Sequence, residues 1–198
     1  SLNNVHLRNI TFATSRQGTG NLNNGALNLT SCTDFSVNYC TFNNFVGTGD
    51  GGQMFLGSST NGVIENCRFG TINSAIFAGT CQNILIANNQ VNNGTSRGFY
   101  ATSGTSMTIF NNLIANTGRS IYFDTAKSKI IANEIVAGTG TFGIFMSATG
   151  NNNKDYIIAN NTIAVSGTTI GIDIGGTNCI TTGNTLIGAS TGEGILIE

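Results

Sequence analysis

The sequence predicts an all-β solenoid of about eight coils, and three observations carry that prediction. The first is a recurring eight-residue unit, seen most clearly as Ile84-Leu85-Ile86-Ala87-Asn88-Asn89-Gln90-Val91, in which apolar side chains alternate. In register it occupies 5–12, 35–42, 62–69, 84–91, 107–114, 128–135, 156–163 and 179–186, and its closing apolar residue recurs at steps of 30, 27, 22, 23, 21, 28 and 23. A period of this length is the mark of stacked repeats. The second is a companion column at the same period, Leu27, Met54, Ile76, Phe99, Ile121, Ile144, Ile172 and Ile195. The third is composition: 27 glycines, no proline, no tryptophan and 9% charged residues suit strands joined by tight turns.

The unit reads as a strand because its apolar positions alternate with period two. The companion column reads as a second strand for the same reason. Its members are followed two residues on by Leu29, Leu56, Ala78, Ala101, Phe123, Met146, Ile174 and Ile197, again apolar and again inward. Between the strands the chain must bend, and there asparagine and glycine collect. At the sixth position of the unit, Asn89, Asn112, Asn133, Asn161 and Asn184 follow one another in five successive coils. In-register coils lie about 4.8 Å apart, so each amide reaches the next and donates and accepts along the column. An asparagine ladder is expected.

The coil length, the asparagine column and the glycines before the second strand (Gly98, Gly143, Gly171, Gly194) resemble the right-handed parallel β-helix superfamily, home of pectate lyases, polygalacturonases, phage tailspikes and extracellular adhesins. The resemblance spans the whole chain and implies a single β-helix domain over 1–198. It implies a fold more than an activity.

Taken in order, the first coil carries an excursion at 13–24 and the second one at 46–51, both leaving the same edge and bearing Arg16 and Asp50. Loops on a stiff scaffold are where binding groups are often carried, and a glycine-rich surface excursion is the plainer reading. Residues 62–123 are the most regular stretch, and 147–153 forms another insertion at a different corner. The chain begins without methionine and stops inside a strand pattern, with Leu196 and Ile197 awaiting a neighbour, so a segment of a longer chain is expected. Cys32 and Cys81 lie two coils apart, beyond disulfide reach. Cys40 and Cys67 take the ladder position in adjacent coils, where stacked side chains point the same way, so free thiols are expected there. Five cysteines without a close pair of ligands predict neither a disulfide framework nor a metal site.

Function classes narrow by chemistry. A net charge of −1 with eight scattered basic residues leaves no footprint for nucleic acid, no apolar run has the length of a membrane helix, and no cofactor motif is present. Polygalacturonases of the superfamily follow their paired acids with Gly-His-Gly and Arg-Ile-Lys. Gly171-Ile172-Asp173-Ile174 resembles a fragment of the first motif, but the sole histidine is His6 in the first coil. The calcium-bound acids and arginine of pectate lyases have no counterpart. One pair of acids has workable spacing. Asp173 and Glu198 are expected outward on adjacent coils at about 8 Å, the range of an inverting glycosidase. Two solvated acids are the plainer reading.

The second strand's outward position reads Asn28, Phe55, Phe77, Tyr100, Tyr122, Phe145, Asp173 and Leu196, five successive rings, with Arg97 and Arg119 flanking the tyrosines. A ring stripe facing water would be an apolar patch that calls for a cover. It suits a glycan groove, an interface with another subunit, or self-stacking decoration. The expectation is an extracellular or virion-borne protein that recognises cell-surface polysaccharide, like a tailspike or tail fibre, with a homotrimer as one assembly. The alternatives are a polysaccharide lyase or hydrolase and an autotransporter-type adhesin passenger.

Overall fold

A computed structural model describes residues 2–13, 25–43, 52–70, 72–92, 94–147, 155–167, 169–188 and 192–197. Arg16, Asp50, most of the 147–153 insertion and Glu198 lie outside the described residues.

The described residues form strands and turns, arranged as a parallel β-solenoid. One sheet follows the path Leu2–Asn3, Cys32–Asn38, Thr60–Glu65, Cys81–Ala87, Thr108–Phe110, Lys129–Ile131, Tyr156–Ala159 and Cys179–Thr182. That path has eight rungs, of which six have a neighbour on both sides. Every neighbour is parallel and in register, as in Val63↔Leu85 and Leu85↔Thr108. The second sheet of fourteen strands wraps the remaining sides and holds both the closing residues of the unit and the companion column. Parallel in-register stacking follows from the repeat, because a one-residue slip would turn the whole apolar set outward.

The core runs up the axis as columns of like side chains. Phe12, Phe42 and Phe69 stack at 4.6 and 4.9 Å between centroids, and the column continues as Val91, Ile114, Ile135 and Ile163, all buried. Large and small residues alternate where a column would otherwise jam. A Cβ added at Gly62 would meet the Phe35 ring at 2.1 Å, so the glycine makes room for the phenylalanine one rung below.

Each coil bends out of the first sheet through a left-handed residue. The fifth position of the unit holds Asn9, Tyr39, Asn66, Asn88, Asn111, Ala132, Asn160 and Gly183, all with φ between 52° and 62°. Asparagine and glycine tolerate this conformation, whereas Tyr39 and Ala132 occupy it at a steric cost.

The sixth position turns inward and builds the expected ladder. Asn112 Oδ1 accepts from the backbone N–H and from Nδ2 of Asn89 at 2.9 and 3.0 Å, while its own Nδ2 donates to Asn133 Oδ1 at 3.0 Å and to Ile86 O at 3.0 Å. The pattern repeats through Asn133, Asn161 and Asn184. At the lower end Cys67 takes over, its N–H donating to Asn89 Oδ1 at 2.9 Å and its Sγ to Val37 O at 3.4 Å. Cys67 and Cys40 are buried free thiols, and burial pushes the Cys67 thiol up to about 12. On the opposite corner Ser59 sits between Cys32 and Cys81, and its hydroxyl accepts the Cys32 N–H at 3.0 Å.

Candidate functional site

The ring column forms on the outer side of the second sheet, where parallel pairing sets Phe55 beside Phe77, Phe77 beside Tyr100, Tyr100 beside Tyr122 and Tyr122 beside Phe145. Consecutive centroids lie 5.4, 4.9, 5.1 and 4.7 Å apart, stacked in the outer two pairs and edge-on in the two between them. These are the spacings at which aromatic pairs attract. Phe142 adds a sixth ring at 4.7 Å from Phe145.

The lower half of this column does not face water as the alternation implied. Phe55 and Phe77 are 8% and 4% exposed. The two rings stack on each other within 9° of parallel, and the Phe55 ring also lies over Gly57, where an added Cβ would come within 2.8 Å of it. Period two assigns the side of the sheet to which a side chain points and not the depth at which it ends. Tyr100, Tyr122 and Phe145 are half-buried, and they form the accessible part of the stripe.

The arginines fall where the sequence placed them. Arg97 and Arg119 are register partners on adjacent rungs. The Arg97 guanidinium lies 4.0 Å from the Tyr100 centroid and 5.4 Å from that of Tyr122, and Arg119 lies 5.7 Å from Tyr122 and 5.8 Å from Phe142. Cations at this range are held by the ring quadrupole. Each guanidinium carries five N–H donors in a planar fork.

Asp173 continues the column above Phe145 and below Leu196. It is 4% exposed and so is not the solvated acid expected from its outward position. Glu198 lies outside the described residues, and with it the spacing of the acid pair.

A second surface feature escaped the alternation pattern, because it sits at a bend. Asn111, Ala132 and Asn160 occupy three consecutive left-handed corners and, with Glu134 and Thr162 on the adjoining strands, line a depression of about 380 Å³. Its signal in the sequence is the alanine that interrupts asparagine at the fifth position.

A family profile described as right handed beta helix region matches residues 25–198. The chain belongs to that family. Among solved structures this β-helix is similar to the surface protein and adhesin PfbA of Streptococcus pneumoniae, with a TM-score of 0.59 and 15% identity over 98% of this chain and 67% of that one. At that identity the likeness is one of fold. No curated protein sequence matches the chain.

Proposed function

We propose that this β-helix is a recognition segment displayed outside the cell or on a virion, and that it binds cell-surface polysaccharide along Tyr100, Tyr122 and Phe145. The observation that carries the reading is the Arg97–Tyr100–Tyr122–Arg119 cluster, in which half-buried rings offer apolar faces to sugar C–H groups and two guanidiniums offer donors to their oxygens. The rings stand on consecutive rungs, so a linear glycan would run parallel to the solenoid axis. The similarity to a surface adhesin supports display at a surface, and the superfamily's tailspikes and adhesin passengers are the two settings it fits. A lyase or hydrolase would use Asp173 as its acid, and that side chain is buried.

The test is polysaccharide capture on a glycan array with Tyr100→Ala and Tyr122→Ala. Glycan binding predicts at least a tenfold loss of affinity, about 1.4 kcal/mol, with the oligomeric state unchanged by light scattering. If the same variants instead dissociate a homotrimer, the column is a subunit interface. If neither property moves, the stripe is self-stacking decoration and the reading fails.

A further inference from the structure

The depression at Ala132 is a gap in a second, external column of asparagines. Below it, Asn111 Nδ2 donates to Asn88 Oδ1 at 2.8 Å, so the Asn111 amide points its donor down the solenoid and its Oδ1 up, towards Ala132. The same sense holds on the neighbouring corner, where Asn83 Nδ2 donates down to Asn61 Oδ1 and Asn61 Nδ2 down to Asp34 Oδ1. Above the gap, Asn160 Oδ1 points up at Gly183 on the next rung, 2.2 Å from where a Cβ there would stand; the amide's Nδ2 is on the other branch of the same planar group, which is the side of Ala132. An acceptor therefore faces the gap from below and a donor from above. They sit two rungs apart, about 9.6 Å at the stacking distance, and one amide in the Ala132 rung would bridge them.

From this geometry we infer that the Ala132 gap binds the acetamido group of an N-acetylated sugar. A trans amide carries its N–H and its C=O on opposite edges, the arrangement by which peptide groups bridge strands at this same spacing. Its N–H would donate to Asn111 Oδ1 and its C=O accept from Asn160 Nδ2, replacing the side-chain amide that alanine lacks. The depression is about a dozen times the roughly 30 Å³ share of a water molecule, so it admits the sugar ring that carries the group. Glu134 and Thr162, register partners exposed along its wall, supply an acceptor and a hydroxyl for the ring's own hydroxyls. A peptide backbone offers the same amide but lacks hydroxyls for that wall.

The site lies on a different corner from the ring column and stands independently of it. The experiment follows the side-chain amide signals of Asn111 and Asn160 by ¹⁵N-correlated NMR during titration with N,N′-diacetylchitobiose. The expected result is a saturable shift of both signals, at least tenfold weaker with the deacetylated disaccharide and with N-acetylalanine methylamide. Ala132→Asn should abolish the shift while melting no lower than the wild type, because the new amide completes the column. Ala132→Gly, which leaves the gap open, should retain it. Tyr100→Ala should leave this titration unchanged, so its outcome is separable from that of polysaccharide capture. No saturable shift, an equal response to the deacetylated sugar or the peptide amide, or binding that survives in Ala132→Asn would overturn the inference.

Discussion

Replacing Asn112 by leucine tests what holds the coils in register. Leucine has nearly the shape of asparagine, so the cavity term is small and the hydrogen bonds decide the outcome. Asn112 Oδ1 is the acceptor for the buried backbone N–H of Asn89 and for Asn89 Nδ2, and Asn112 Nδ2 donates to Ile86 O, Phe110 O and Asn133 Oδ1. After the substitution Asn89 Nδ2 still reaches Ile64 O, Phe110 O still accepts from Asn88, and Asn133 Oδ1 still accepts from the residue 112 N–H. The Asn89 N–H is left orphaned, and Ile86 O loses its side-chain donor. A buried unsatisfied group costs about 1–3 kcal/mol, so the two together should cost about 3 kcal/mol. With a urea slope of about 3 kcal/mol/M, suitable for a chain of this size, the midpoint should fall by roughly 1 M. The assay is urea unfolding followed by far-ultraviolet circular dichroism, with Lys129→Ala as an exposed control. Asn184→Leu provides an internal comparison: it sits half-buried at the ladder's upper end, where water replaces part of what is lost. It should cost clearly less than Asn112→Leu. Equal midpoints for Asn112→Leu and Lys129→Ala would refute a stabilising ladder.

Three further outcomes follow from packing and burial. Phe77→Ala should destabilise the fold by about 3–5 kcal/mol in the same urea assay, because a buried ring leaves a cavity; a loss below about 1 kcal/mol would mean that the ring is not packed as described. Gly98→Ala should cost about 1–3 kcal/mol, since the new Cβ would stand 2.4 Å from Ser120 O and 2.9 Å from Ile114 Cγ2, and an unchanged melting temperature would contradict that contact. The Cys67 thiol is raised to about 12 in the fold from an ordinary value of 9.0, so its stabilising effect is complete below pH 9 and is lost as pH rises towards 12, where the unfolded chain has already released the proton. Wild-type protein should therefore lose more stability between pH 8 and 10.5 than Cys67→Ala does, and parallel pH profiles would show that burial leaves this thiol's titration unchanged.

Much of this architecture was legible in the sequence because a solenoid repeats its local rules. Period two marked the strands, the 21-to-30-residue step marked the coil, and the asparagine at the sixth position marked the internal ladder, since each depends only on neighbours one repeat away. The lateral pairing of Arg97 with Arg119 and of the five rings followed from the same register. Depth was not legible. Phe55, Phe77 and Asp173 occupy the outward position as surely as Tyr100 does, yet they end buried, because period two assigns a side of the sheet and not a depth, and a glycine such as Gly57 lets a ring lie down.

The bend at the fifth position was equally beyond the strand pattern. The sequence alone determined the coil, its register, and which side chains share a column, because those properties are periodic. Only the tertiary structure decided which members of a column meet water and which amides face a gap. Both depend on how each side chain lies against unlike neighbours on adjacent rungs, as Asn111 and Asn160 do across Ala132.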